Sequence, residues 1–259
     1  MIIDGNKIAQ KILAELQEQK TPRKELVAVL VGSDEASLSF LRQKAKAAKS
    51  LGVKFRLVKL SDSLSQKELE REVRYLSKKR ATGGLLIQLP LPKQYDQISV
   101  LNAIGIAKDV DVLNGETTKI LPPAVGALKR ILEEVNFSLA DKKAVVIGPG
   151  LLIGRPISNW LMHQVAKLTV IGKGGMDKAL VKEADLVISG VGQPHLITAD
   201  MIKSKAVIID YGYGKENGEL TGDCDFEDIS QQSVVTPTPG GTGPVVVSQL
   251  LANFYQITN

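Results

Sequence analysis

The sequence predicts an α/β protein of two domains whose sheets are largely parallel. Three observations carry the prediction. Strand-like and helix-like patterns alternate from one end of the chain to the other, as they do where crossover helices join parallel strands. Several strand-like stretches are apolar runs, Leu26–Val31 without a break and Leu85–Leu89 with only Gln88 polar, the pattern of strands buried on both faces. A polar, proline-containing passage from Lys108 to Val125 separates one such series from a second, as a link between domains does.

Taken in order, Ile8 to Gln19 reads as an amphipathic helix with Ile8, Ile12, Leu13 and Leu16 on one face. Leu26–Val31 is the first strand, closed by Gly32-Ser33-Asp34. A long helix runs from about Ala36 to Leu51, and Gly52 ends it as a C-cap would. Lys54–Leu60 is the second strand. Ser65–Lys79 is a helix opened by the capping box Ser65-Gln66-Lys67-Glu68. Leu85–Leu89 is the third strand, which completes a β-α-β-α-β series with right-handed crossovers expected. After the passage come a helix at Val125–Val135 and strands at Lys143–Ile147, Leu168–Ile171, Leu186–Ser189, Ala206–Ile209 and Ser233–Val235. The last helix spans Pro244 to about Tyr255, with proline at its first position.

Composition narrows the function classes. The chain of 259 residues is 44% apolar and 24% charged, an ordinary globular balance. Its net charge is +5, and the basic residues are spread along the chain; a nucleic-acid surface would need them clustered, so no nucleic-acid partner is expected. A single cysteine, Cys224, excludes an internal disulfide and suits a reducing cytoplasm. Met1–Lys7 lacks the layout of a signal peptide, and no apolar run approaches the roughly 20 residues that span a bilayer. With only His163, His195 and Cys224 as soft ligands, no metal is expected.

Five motifs carry chemistry. Gln88 ends the apolar run Gly83-Gly84-Leu85-Leu86-Ile87-Gln88-Leu89-Pro90-Leu91-Pro92. A buried amide costs free energy unless paired, so Gln88 either meets a ligand at the stopped strand end or braces the loop as a satisfied core residue. The strand Ala144–Ile147 runs into Gly148-Pro149-Gly150-Leu151-Leu152-Ile153-Gly154-Arg155 and then a helix. Glycines in that setting let backbone N–H groups approach a pyrophosphate, which makes a Rossmann-like dinucleotide-binding domain the favoured reading and glycine packing the plainer one. The next strand ends in Gly172-Lys173-Gly174-Gly175 with no acid to hold ribose hydroxyls; Lys173, with Arg155, either holds a 2′-phosphate or is a solvated surface cation. Phe40 and Lys44 share a helix face, where an apolar neighbour can lower a lysine pKa; spacing alone favours a solvated lysine. Asp109 and Asp111 point the same way in an extended segment, either toward polar ring edges or simply into solvent.

In this order the pieces resemble the bifunctional methylenetetrahydrofolate dehydrogenase/methenyltetrahydrofolate cyclohydrolase family over nearly the whole chain. The resemblance rests on Val31–Ser37 with Lys44-Ala45-Lys46-Ala47, on Gly83–Pro92, on Lys108-Asp109-Val110-Asp111, on Gly222-Asp223-Cys224-Asp225-Phe226 and on Thr236–Pro244. It implies a folate-binding catalytic domain, 1–120 plus 241–259, and a Rossmann-like NAD(P)-binding domain, 121–240. It further implies a cleft between them, a last helix that returns to the first domain, and a homodimer. The implied activity is oxidation of 5,10-methylenetetrahydrofolate with NADP, then hydrolysis to 10-formyltetrahydrofolate. Lys44 is the implied acid/base, Gln88 its hydrogen-bond partner and Asp111 the pterin anchor. Phe40, Pro239, Gly240, Gly241 and Gly243 are the implied folate contacts. Gly148, Pro149, Gly150, Gly154, Arg155, Lys173 and Gly192 are the cofactor-binding candidates.

The chain departs from the family pattern in four places. Phe40 stands where the family has tyrosine, which keeps a ring and drops a hydroxyl. Val112 replaces a glycine, and the loop after it is shorter. Leu121-Pro122-Pro123-Ala124-Val125-Gly126 replaces Pro-Cys-Thr-Pro-x-Gly. Gly148-Pro149-Gly150 replaces Gly-Arg-Ser and removes a phosphate-binding arginine, for which Lys173 is the candidate substitute. The alternatives are a dehydrogenase alone, using NAD, or a non-catalytic relative that binds folate or dinucleotide.

Overall fold

The computed structural model describes residues 1–114, 120–216 and 218–259. By packing, the chain divides into two units, one of Lys11–Pro123 with Val247–Asn259 and one of Met1–Gln10 with Ala124–Val246.

The first unit starts at Lys11, within helix α1 (Gly5–Gln17), whose first residues belong to the other unit. Strand β1 (Glu25–Val31) has every residue after Glu25 buried. Helix α2 (Glu35–Ser50) is capped by Asp34, whose carboxylate accepts from the Ser37 amide at 2.7 Å. Gly52, at φ +68°, ends it with bonds from Gly52 N to Lys49 O and from Val53 N to Ala48 O, the paired bonds of a Schellman cap that only a left-handed residue can close. Strand β2 (Phe55–Leu60) and helix α3 (Gln66–Lys78) follow, the latter with the expected capping box between Ser65 and Glu68. Strand β3 (Thr82–Ile87) is buried throughout. The three strands are parallel in the order β2-β1-β3.

The glycines of β3 have a packing cause. A Cβ on Gly84 would lie 2.7 Å from both the Phe254 ring and Val110, so the glycine lets an aromatic side chain of the returning C-terminal segment sit directly on the strand. Asn253 of that segment donates to the carbonyls of Val110 and Leu121 at 2.9 and 2.8 Å. The strand itself ends at Ile87, two residues before the expected Leu89. One ladder bond continues beyond it, from Gln88 N to Val29 O at 2.8 Å. A short helix, α4 (Gln97–Leu101), was not anticipated, because five residues are too few to show a helical period. Within the passage 108–125, residues 115–119 lie outside the described residues, and with them most of the shortened loop.

The second unit runs through α5 (Pro123–Glu134), β4 (Lys143–Ile147), α6 (Gly154–Leu161), β5 (Lys167–Ile171), α7 (Lys178–Lys182), β6 (Leu186–Ser189) and β7 (Val207–Asp210). A polar hairpin of β8 (Gly214–Glu216) and β9 (Glu219–Thr221), helix α8 (Phe226–Gln232) and strand β10 (Val234–Val235) follow, and helix α9 (Thr242–Thr258) begins in this unit and from Val247 onward belongs to the first. Five parallel strands lie in the order β10-β7-β6-β4-β5. Val145, Ile147, Val187, Ile208 and Ile229 form part of the core on this sheet, each such side chain worth about 1.5–3 kcal/mol on burial. Helix α9 begins at Thr242, so Pro244 stands third rather than first; it remains in the first turn, where no intrahelical partner awaits its missing N–H.

The packing division differs from the expected boundaries at residues 1–10, 121–123 and 241–246. Ile2 forms a parallel bridge with Val235, and the Met1 amino group donates to Ser233 O at 2.9 Å, so the first residues extend the five-stranded sheet. At the other end, the Thr242 hydroxyl donates to Asp210 O at 2.9 Å, which ties the start of α9 to the same sheet.

Candidate active site

The buried face of α2 reads Ser37, Leu41, Lys44, Ala48. Helical spacing therefore places a lysine where a core residue belongs, and Lys44 is 9% exposed. Its Nζ donates to Gln88 Oε1 at 3.1 Å. Gln88, 8% exposed, donates one amide N–H to Leu89 O at 2.8 Å. It stands just past the carboxyl end of β3. In the order β2-β1-β3 the chain leaves β1 for one side and reaches β3 on the other, so the carboxyl ends of these two strands form a topological switch point, where α/β sheets bind ligands.

Electrostatics tune the pair. Burial lowers the pKa of Lys44 from the ordinary lysine value, and the charge of Asp111 works in the opposite sense. Burial likewise raises Asp111, with the Lys44 ammonium lowering it. The result is a lysine that gives up its proton more readily than a solvated one, held by a neutral amide and faced by a carboxylate. Such a group can take a proton from water and return it. Phe40 lies one helical turn before Lys44 and is half-buried.

Asp109 does something different from Asp111. It is 1% exposed, and its two oxygens accept four backbone N–H groups, from Asp111 and Val112 at 3.0 Å each, Leu113 at 2.9 Å and Asn114 at 3.2 Å. Burial and then the neighbouring Asp111 charge push its pKa up to about 6 against the lowering effect of those bonds. Asp109 itself is extended, at φ −76° and ψ 101°, but past Asp111 the chain turns left-handed at Val112, φ +56°, and wraps around the Asp109 carboxylate, which is turned to backbone amides and not to a ring edge or to solvent. Asp109 is the brace of the loop that carries Asp111.

The remaining candidates fall in the second unit. Of the implied folate contacts there, Gly240 has φ +94°, and a Cβ on Gly241 would lie 2.3 Å from Pro237 O, so the turn itself requires these two glycines. At Gly243 a Cβ would meet nothing within 4 Å, which leaves its backbone open. Pro239 is exposed and follows a cis peptide bond.

The cofactor candidates gather at the second sheet's own switch point, the carboxyl ends of β4 and β6, which neighbour each other in the order β10-β7-β6-β4-β5. Gly148 follows β4 with φ +86°, and a Cβ on Gly154 would lie 2.0 Å from Gly148 O; the first glycine allows the turn and the second allows α6 to start against it. A Cβ on Gly150 would meet nothing within 4 Å, while Pro149 and Arg155 are exposed. Gly192 follows β6 with φ +78°. Lys173 is exposed past the end of β5, where a cation can meet a phosphate group. An open glycine loop at a helix start, with Arg155 next to it in sequence and Lys173 past the following strand, suits the phosphates of a dinucleotide.

Sequence reasoning did not single out the buried polar residues beside this loop. Asp223 and Ser189 are 0% exposed and Asp210 is 2% exposed. Asp210 accepts from Gly212 N at 2.6 Å and Cys224 N at 2.9 Å. The run Gly222-Asp223-Cys224-Asp225-Phe226 was visible, but only packing shows that Asp223 is wholly enclosed.

Two family models match the chain: the tetrahydrofolate dehydrogenase/cyclohydrolase catalytic domain over residues 3–111, and the NAD(P)-binding domain of the same proteins over residues 122–259. The bifunctional protein FolD of Exiguobacterium sibiricum is 35% identical, over 98% of this chain and 97% of its own. Among solved structures, the bifunctional FolD of Campylobacter jejuni is 32% identical with a TM-score of 0.92, covering 100% of this chain and 98% of that one. The FolD of Trypanosoma brucei, solved with NADP cofactor and an inhibitor, is 31% identical with a TM-score of 0.92, covering 100% and 97%.

Proposed function

The chain belongs to the tetrahydrofolate dehydrogenase/cyclohydrolase family, and from that premise we infer its chemistry. It oxidises 5,10-methylenetetrahydrofolate to the 5,10-methenyl compound with NADP, and it hydrolyses that product to 10-formyltetrahydrofolate. Bifunctional relatives at 32–35% identity over nearly the whole chain favour this reading over a dehydrogenase acting alone or a non-catalytic binder.

The observation that carries the site assignment is the buried Lys44–Gln88 bond with Asp111 acting electrostatically on the same lysine. Neutral Lys44 takes a proton from the water that adds to the methenyl carbon, and it returns a proton to the ring nitrogen as the carbon–nitrogen bond opens. Gln88 fixes the position of Nζ. Asp111 anchors the pterin and keeps the lysine basic enough to accept the proton. Phe40 offers a ring for the folate to stack on; the hydroxyl of the usual tyrosine is not needed for that contact. Pro239, Gly240, Gly241 and Gly243 complete the proposed folate contacts.

NADP supplies the hydride acceptor. Gly148, Pro149, Gly150, Gly154 and Gly192 would hold its pyrophosphate and ribose portions through backbone groups, and Lys173 with Arg155 would hold the 2′-phosphate.

A homodimer and a cytoplasmic location complete the proposal. The family resemblance supports the first, and a free, buried Cys224 suits the second. No helix among the described residues is long and apolar enough to cross a membrane.

Purified protein given methylenetetrahydrofolate with NADP or NAD tests the assignment, with methenyl formation and decay followed by absorbance. NADP-dependent formation and enzyme-accelerated decay are expected. No turnover with either cofactor would sink the enzyme assignment, and methenyl accumulation without accelerated decay would leave the dehydrogenase alone.

A further inference from the structure

We propose that Asp223 is a positioning residue for the cofactor, its carboxylate setting the shape of the loop after β6 on which the dinucleotide rests. The inference builds on the dinucleotide reading given above. Asp223 is 0% exposed. Its Oδ2 accepts the Ser189 hydroxyl at 2.6 Å and the Val191 amide at 2.8 Å, while Oδ1 accepts the Gln193 amide at 2.7 Å. The two amides flank Gly192, the one residue between them, whose φ is +78°. One carboxylate thus grips the chain on both sides of a left-handed glycine and anchors that grip to Ser189, the last residue of β6.

The gripped loop is the one that meets the Gly148 turn. A Cβ on Gly148 would lie 3.0 Å from both Gly190 O and the Val191 side chain, so the loops after β4 and β6 touch at the switch point of the sheet. Moving residues 190–193 would move the floor of that crevice.

The seat of the carboxylate is itself specific. A Cβ on Gly212 would lie 2.4 Å from the Asp223 carboxyl group, so only glycine at 212 leaves room for it. The backbone of Asp223 is fixed as well, since its carbonyl accepts from Ile197 N at 3.0 Å. Three donors converge on two oxygens, an arrangement that only a carboxylate satisfies. An asparagine would turn an NH2 group toward an N–H on one side, and the buried donor there would lose its partner.

The role predicts a selective defect. In Asp223→Asn the dissociation constant and KM for NADP should rise about tenfold or more, the worth of a hydrogen bond to a charged group. The turnover at saturating NADP should stay within about twofold, and KM for methylenetetrahydrofolate should not move, because the Lys44 site is untouched. Amide hydrogen exchange at Val191 and Gln193 should quicken in the same variant. Ser189→Ala keeps both amide bonds and removes only the anchor, so its NADP constant should rise about threefold.

The experiment is calorimetric titration of NADP into the unaltered chain and both variants, with kinetics and exchange measured alongside. A folded Asp223→Asn that binds NADP as the unaltered chain does would overturn the proposal, as would equal losses in NADP and folate constants. If Asp223→Asn does not fold, Ser189→Ala decides: an unchanged NADP constant overturns the proposal and a selective rise supports it. Failure of the unaltered chain to bind any dinucleotide would remove the cofactor reading and this inference together, which distinguishes it from failure of the inference alone.

Discussion

Lys44 Nζ lies 3.1 Å from Gln88 Oε1, so two residues 44 positions apart, one on the buried face of α2 and one just past β3, share a hydrogen bond in the interior. An ammonium there has left water behind, and the neutral amide answers only one of its three donors. This arrangement makes the protonation state of the lysine responsive to small changes around it.

Gln88→Glu would place a carboxylate where the amide carbonyl stands. An opposite charge at that range favours the ammonium, so the pKa of Lys44 should rise. Hydrolysis needs the neutral lysine and should increase with pH below the ordinary lysine value of 10.5 in the unaltered enzyme. In the variant the rising limb should move to higher pH, with hydrolysis at pH 7 down about tenfold or more. A limb at unchanged or lower pH would contradict the assignment.

Lys44→Met keeps an unbranched chain of similar length on the apolar stripe and removes the buried charge. Hydrolysis of the methenyl compound should fall about 10²–10⁴-fold, the usual worth of a general base. Thermal stability should hold or rise, since burying an ammonium carries a cost that methionine does not. Full hydrolytic activity in a folded variant would refute the role of Lys44.

Asp111→Asn removes the charge that raises the pKa of Lys44. The lysine should then lose its proton more easily, and the rising limb of hydrolysis should shift to lower pH. The folate KM should rise about tenfold, because a charge-assisted contact to the pterin becomes a neutral one. Kinetics across pH with both steps followed would separate the two effects.

Asp109→Asn tests a brace rather than a catalyst. An amide can accept on one side only, so two of the four backbone N–H groups held by Asp109 lose their partner, which should cost about 1–3 kcal/mol and lower the melting temperature by several degrees. The folded pKa of about 6 lies above the ordinary 3.8. The contribution of this group to stability is therefore full below the lower value and is lost as pH rises through the upper one. Unfolding measured between pH 4 and 7 should show that decline in the unaltered protein and less of it in the variant.

Lys173→Ala addresses cofactor choice. If Lys173 holds the 2′-phosphate in place of the family's arginine, KM for NADP should rise about tenfold while NAD kinetics stay unchanged. Equal effects on both dinucleotides would assign the phosphate to another cation.

Much of this was legible in the chain because local rules act over a few residues. Ser65 with Glu68, Gly52 after α2, and the apolar runs of β1, β3, β4 and β6 each announce themselves within about ten positions, and the structure has them within one or two residues, apart from β3, which starts three residues early at Thr82 and stops two early at Ile87. The short helices α4 and α7 and the hairpin β8–β9 were missed for the same reason, since they are too short or too polar to show a period.

The sequence by itself determined the elements, their alternation, the family and the identities of the polar residues that stand out: Gln88 at a strand end, Lys44 four residues after Phe40, and paired aspartates at 109 and 111. The tertiary structure alone decided which of them meet. Lys44 and Gln88 come together because parallel pairing of β1 with β3 carries the strand end to the buried side of α2, a matter of register and crossover that no local window contains. Asp109 and Asp111 take different tasks because the left-handed turn at Val112 brings the backbone amides of residues 111–114 onto the Asp109 carboxylate alone. Asp223 takes its place beside Gly192 for the same reason: burial and convergence of donors are properties of chain closure, where distant backbone amides find the one carboxylate able to accept them.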